Sequence, residues 1–327
     1  MTSSKVSPRF VFALRVLLFM IVTLMALGAG VRAMNAGLAC PDWPLCFGKV
    51  IPDFHPAVWF EFVHRAYAGL VSLTFAGCLL YAFRSKAVSS RVRIVGVAAL
   101  ICLVAQIAFG ALTVLLQVRS GVVTTHLMLA TLFFLGVLWM SFWSKPDVVV
   151  PASKPPRLLA ALALLPILVF MQIVLGGFVA STFAGSVCVD WPLCNGEWVP
   201  TWTGAIGLQV MHRFFAYGLA GLFGVVALVM WRSRNERWMT MQLLRLAQYS
   251  GLIVLLQVGV GIANLVLLIP PSLTVVHQSV AVVLLAVCAR LGFVAVRVSK
   301  SVSALEVNPA ERQGTPSRTP RSSLQLP

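Results

Sequence analysis

Charge is what this chain has least of. Asp, Glu, Lys and Arg together make up 10% of its 327 residues, against roughly 25% in soluble domains. That scarcity excludes an ordinary water-soluble globule. Only nine residues are acidic and none of them cluster, which argues against a zinc site, since zinc draws three or four ligands from protein. The first apolar stretch lacks an A-x-A cleavage pattern, so it reads as a helix that is kept and not as a removable signal peptide.

What is present is apolar: hydrophobic residues make up 59% of the chain. Eight stretches, at about 11–31, 59–82, 92–117, 121–143, 157–180, 205–231, 243–268 and 274–296, are long enough to span a bilayer, which takes about 20 residues. In lipid, backbone groups must be satisfied internally, and runs of this length do so as helices. The predicted fold is an all-α polytopic membrane protein, and the lipid bilayer is its first partner.

The net charge of +16 invites a nucleic-acid reading, but its distribution points elsewhere. With the N-terminus inside, the inner segments hold 20 Lys and Arg, and the outer ones hold five: Arg32, Lys49, Arg65, Arg119 and Arg213. This is the positive-inside bias, and it places both termini in the cytoplasm. The basicity is then a topology signal, and no nucleic acid is expected. The same topology puts Cys40, Cys46, Cys188 and Cys194 on the outer side, where disulfides persist in a bacterium. Short loops and the lack of a transit peptide point to a bacterial inner membrane.

The chain repeats itself. Cys40-Pro-Asp-Trp-Pro-Leu-Cys46 recurs as Cys188-Val-Asp-Trp-Pro-Leu-Cys194, and His64-Arg65 recurs as His212-Arg213, both 148 positions on; His126 recurs as His277, 151 on. The expected organisation is a cytoplasmic tail over 1–10, a four-helix half over 11–143, a Pro-rich and basic linker over 144–156, a second four-helix half over 157–297, and a disordered tail over 298–327. Four helices return the chain to its starting side, so the halves form two bundles related by a pseudo-twofold axis along the membrane normal. Gly28 and Gly176 also match, as do Gln106 and Gly110 with Gln257 and Gly261, and Gln172–Gly176 has the same spacing. Such glycines admit either helix–helix packing or a flat ring against the backbone.

His64, His126, His212 and His277 each fall a few residues past the outer end of a helix running inward. They therefore share one depth, and two parallel helices in each half present imidazoles at one level. That arrangement suits axial ligation of a haem iron from both faces; the porphyrin supplies the other donors, so two protein ligands suffice. His55 has no counterpart, the aligned residue being Thr203, and reads as a surface residue. The halves differ in charge: Glu61 stands where the second half has Gln209, and Arg32 where it has Ala180. Glu61 precedes His64 by three residues, on the same helix face, and can move a proton or simply pair with Arg65 or Arg32. Arg65 and Arg213, kept in both halves, suit anchoring of haem propionates or interfacial groups.

These residues resemble the haem A synthase family: Ala36-Gly37 followed by the 40–46 loop, Glu61-Phe62-Val63-His64-Arg65, His126, Met211-His212-Arg213 and His277. The resemblance covers roughly residues 10–297. It implies an oxidoreductase that converts the C8 methyl of haem O to a formyl group by successive hydroxylations, giving haem A. It places substrate haem O between His64 and His126 with Glu61 important for activity, and a haem B that relays electrons between His212 and His277. Haem O synthase and an electron acceptor such as quinone would be further partners. Each cysteine pair is either a disulfide staple over its site or a redox relay. The competing readings are a di-haem b-type membrane cytochrome, a membrane thiol oxidoreductase and a haem carrier.

Overall fold

The structure, a computed structural model, describes residues 6–144, 157–198 and 200–307. The expected linker from 145 on and the tail from 308 on lie outside the described residues. Eight helices are long and apolar enough to cross a membrane, and among the described residues there is no strand. They are α1 (Pro8–Ala33), α2 (Pro56–Arg84), α3 (Ser90–Leu115), α4 (Ser120–Ser144), α5 (Leu165–Ser181), α6 (Gly204–Arg232), α7 (Met241–Val266) and α8 (Pro271–Val307). The protein is an all-α, multi-pass membrane protein.

Sequence explains most of the helix starts. α1, α2 and α8 begin on a proline, whose missing N–H is no loss in the first turn. The fifth span differs from the expected continuous helix. It enters as a 3-10 helix over Arg157–Leu164 and becomes α-helical at Leu165. Pro166 is the cause: its ring clashes with the carbonyl four residues back, so an α-helix cannot run through it. α8 runs on to Val307, past the boundary expected at 297.

The pairing of helices repeats. α1 packs on α2 as α5 does on α6, α2 on α3 as α6 on α7, α3 on α4 as α7 on α8, and α1 on α4 as α5 on α8. The halves join through α1 against α8, α4 against α5, and α4 against α8. The turns into α4 and α8 also match: Gln117 and Val118 have φ of 52° and 50°, Leu268 and Ile269 62° and 59°. Two successive left-handed residues without glycine are uncommon, yet the same reversal occurs in both halves and sets where α4 and α8 begin.

The apolar core lies to one side. It gathers Phe10 to Met25 of α1, Val71 to Ala82 of α2, Val92 to Leu103 of α3 and Phe133 to Phe142 of α4, with their second-half equivalents through Leu219 to Met230 of α6 and Val282 to Val298 of α8. These are the helix ends away from the cysteine loops. At the other end the buried apolar residues reduce to small groups at each loop: Cys40, Cys46 and Val58, then Cys188, Cys194 and Val210. The four histidines sit at that second end, outside the main core.

Candidate functional site

Each histidine has a fixed place on its helix. His64 is eight residues into α2 and His212 eight into α6; His126 is six into α4 and His277 six into α8. At a rise of about 1.5 Å per residue, all four lie within a few ångströms of one depth. Each ring packs against a glycine of the preceding helix. A Cβ on Gly28 would stand 3.0 Å from His64 Cε1, on Gly110 3.0 Å from His126 Cε1, on Gly176 3.0 Å from His212 Cε1, and on Gly261 2.9 Å from His277 Cε1. The flat ring for which these glycines make room is thus an imidazole.

One turn back from two of these glycines, glutamines hold the rings. The Gln106 carbonyl accepts from His126 Nδ1 at 3.1 Å, and the Gln106 amide nitrogen lies 3.2 Å from His126 Nε2. Gln257 Nε2 lies 3.2 Å from both ring nitrogens of His277. A backbone carbonyl only accepts, so His126 carries its proton on Nδ1, and its Nε2 accepts from the Gln106 amide. Gln172 instead donates to the His212 carbonyl at 2.9 Å, and the equivalent position in α1 is Leu24. Sequence showed the Gln-x3-Gly spacing but not its partner.

His64 and His126 lie within electrostatic reach of each other, as do His212 and His277. Buried polar atoms normally find partners. Here His64 Nδ1, His212 Nδ1 and the amide oxygens of Gln106, Gln172, Gln209 and Gln257 are buried without one; Trp59 Nε1 is the only other such atom among the described residues. Unmet polar demand is therefore concentrated at the histidine level. Among the described residues no three His, Cys, Asp or Glu side chains come together to hold a metal ion by themselves. Two imidazoles in each half, seated in glycine slots and ringed by amides, fit a flat group that brings its own remaining donors.

The outer loops are built alike. Cys40 is bonded to Cys46 and Cys188 to Cys194. The Asp42 carboxylate accepts from the Phe47 and Gly48 N–H groups at 2.6 and 2.8 Å; Asp190 does the same with Asn195 and Gly196 at 2.6 and 2.9 Å. These bonds, that from Gly48 foremost, hold the Asp42 carboxyl below the usual range, with Arg65 adding to the effect. Sequence reasoning missed both aspartates, although their recurrence in the repeat marked them.

Arg65 and Arg213, expected to suit propionates or interfacial groups, both bond to the loop that covers their helix. Arg65 donates to the carbonyls of Asp42 at 2.8 Å, Leu45 at 2.9 Å and Cys40 at 3.3 Å. Arg213 donates to Asp190 at 3.1 Å, Leu193 at 2.8 Å and Cys188 at 3.1 Å. Both guanidinium groups clamp the loop to the helix below it. Glu61 is buried, takes Arg65 on one oxygen at 2.5 Å and the Cys40 N–H on the other at 2.8 Å. Of the two partners open to it, Glu61 pairs with Arg65. Gln209 is buried in its place in the second half, with its oxygen unpartnered. Arg32 is half-buried near the end of α1, and His55 is exposed at the start of α2.

The cytochrome oxidase assembly protein family, COX15-CtaA, matches residues 11–57 and 51–289. A protein of Shewanella oneidensis named haem A synthase is 26% identical over 325 residues, 89% of this chain and 98% of the relative. One of Shouchella clausii with the same name is 30% identical over 248 residues, 72% of this chain and 80% of the relative. One of Caulobacter vibrioides, again so named, is 29% identical over 316 residues, 82% and 90%. With four histidines in glycine slots and two clamped disulfide loops, and with these matches along nearly its whole length, the chain belongs to the haem A synthase family.

Proposed function

We propose that this chain oxidises haem O to haem A, with the reaction in the first half and a haem B held in the second. The observation that carries the assignment is the charge difference between two otherwise matching sites. Glu61, one turn from His64, and Arg32, one turn from the Gly28 that His64 packs on, have Gln209 and Ala180 at the matching positions of the second half. A site that only carries electrons needs neither charge. A site that turns a methyl group into a formyl group does, because protons must leave it.

In net terms the methyl group and one water become a formyl group, releasing four protons and four electrons. Two hydroxylations give a gem-diol, which loses water. His64 and His126 would orient the substrate by ligating its iron from two helices. Glu61 is the one buried carboxylate in residues 1–144, and stands one turn from His64. Arg65 and the Cys40 N–H fix its two oxygens, so it is aimed, and a carboxylate can accept a proton. His212 and His277 would hold haem B, whose iron supplies one-electron acceptance when bound. Gln257 would orient His277, as second-shell groups orient ligating histidines. A quinone-class acceptor would take the electrons onward. The loops at 40–46 and 188–194 would close the sites on the periplasmic side, and the clamping by Arg65, Arg213, Asp42 and Asp190 supports a staple role for the disulfides.

The test is the pigment extracted from membranes of cells that make the chain together with a source of haem O. Formation of a formyl haem with a red-shifted spectrum is expected; haem B alone would instead mean a di-haem cytochrome. Glu61→Gln, the residue its own repeat carries, should keep haem B bound while conversion falls by about a hundredfold or more. Undiminished haem A from that variant would remove Glu61 from the chemistry.

A further inference from the structure

Arg32 is a cation without a counter-ion. Among the described residues its guanidinium makes no hydrogen bond, ion pair or ring contact, although it is half-buried. A charge at the edge of a membrane span that stays unpaired is costly, and such groups mark binding sites. Residues 1–144 contain just three carboxylates: Asp42, Asp53 and Glu61. Asp42 is taken by two backbone N–H groups, Asp53 pairs with Lys49 at 2.6 Å, and Glu61 pairs with Arg65. None is left for Arg32.

Its position says where the missing anion belongs. Arg32 is four residues after Gly28, the glycine against which the His64 ring lies. Residues at that spacing share a helix face, one turn apart, and helix side chains lean toward the N-terminus. α1 runs toward the cysteine loops, so Arg32 stands one turn to the loop side of the Gly28–His64 contact. The second half has Ala180 here, so the cation belongs to the first site alone. Arg65, the other guanidinium near His64, is consumed by the loop carbonyls.

We propose that Arg32 binds a carboxylate of the molecule ligated by His64 and His126, and so is a substrate-binding residue; this rests on the reading of that pair as the haem O site. The propionates of the porphyrin are the carboxylates in question. An acidic or zwitterionic lipid headgroup offers the same anionic chemistry, and the experiment separates the two. Full-length wild-type protein and Arg32→Gln are titrated with haem O and with its propionate dimethyl ester, following the Soret shift, and KM and kcat are measured for both.

Wild type should favour the free acid by about tenfold or more, the size of a charge-assisted hydrogen bond. Arg32→Gln should bind haem O as weakly as the ester, with KM raised and kcat little changed. Arg32→Lys should recover part of the preference. If Arg32→Gln keeps the full preference for the acid, or weakens acid and ester alike, the proposal is wrong, and the cation serves a lipid headgroup or packing. A wild type that binds no haem O would fail the underlying site reading instead. Retained haem B absorbance in Arg32→Gln shows that the variant folds; should it be lost, Arg32→Lys carries the test, and no acid preference in that variant relative to ester overturns the proposal.

Discussion

A single methyl group on Gly261 would come within 2.9 Å of the His277 ring, closer than the packing allows. Gly259, two residues away on the same helix, has nothing within 4 Å. The two glycines therefore make a controlled pair. Gly→Ala in a helix is favourable by roughly 0.5–1 kcal/mol where there is room, whereas overpacking costs about 1–3 kcal/mol. Gly261→Ala should lower the haem-to-protein ratio of the purified chain about tenfold, and Gly259→Ala should leave it unchanged; haem content by pyridine haemochrome reads both. Equal haem content in the two variants would show that the slot does not position the ligand. The histidines and glycines were both legible in the sequence through duplication. That they contact each other was not, because the contacts join positions 16 or 36 apart across two helices.

At the scale of the element, each outer loop is a small folded unit. A disulfide, a carboxylate capping two N–H groups and an arginine from the helix below tie it together in both halves. The Asp42 carboxyl is held below its ordinary value of 3.8 in the folded loop, chiefly by the Gly48 N–H. A depressed folded value means that the stabilisation is fully present above the unfolded value and is lost as pH falls through the folded one. Reduction of Cys40–Cys46 by a phosphine should therefore have a flat rate from neutral pH down to about 4 and quicken only in stronger acid. Asp42→Asn should quicken reduction at neutral pH and flatten the acid limb; an unaltered profile in that variant would deny the aspartate its role. The spans themselves were readable to within a few residues from apolar run length. The exceptions were the entry to α5, where Pro166 interrupts α geometry inside an otherwise continuous apolar run, and the end of α8, which continues to Val307.

The whole molecule places its dense packing at one end and its histidines at the other. We propose, from the Lys and Arg bias, that the dense end faces the cytoplasm and the cysteine loops the periplasm. In intact cells a membrane-impermeant maleimide, added after mild reduction, should label Cys40, Cys46, Cys188 and Cys194 and spare Cys78, Cys102 and Cys288, which lie within helices. Labelling of the loops only after the membrane is broken would invert the orientation. Every helix pairing within one half recurs in the other, and α1–α8 and α4–α5 are the seams between them.

Local and periodic information was enough for the spans, the duplication, the four histidines and the charge difference between halves. Each depends on composition along a short window or on comparison of one window with another. The partners of the charged side chains were a different matter. Arg65 was open to a propionate, a carboxylate or an interfacial group until the loop 20 residues earlier folded back and offered it three carbonyls. That same fold committed Glu61 and left Arg32 alone. A side chain's partner depends on which segments return to the same place, and tertiary packing alone decides that.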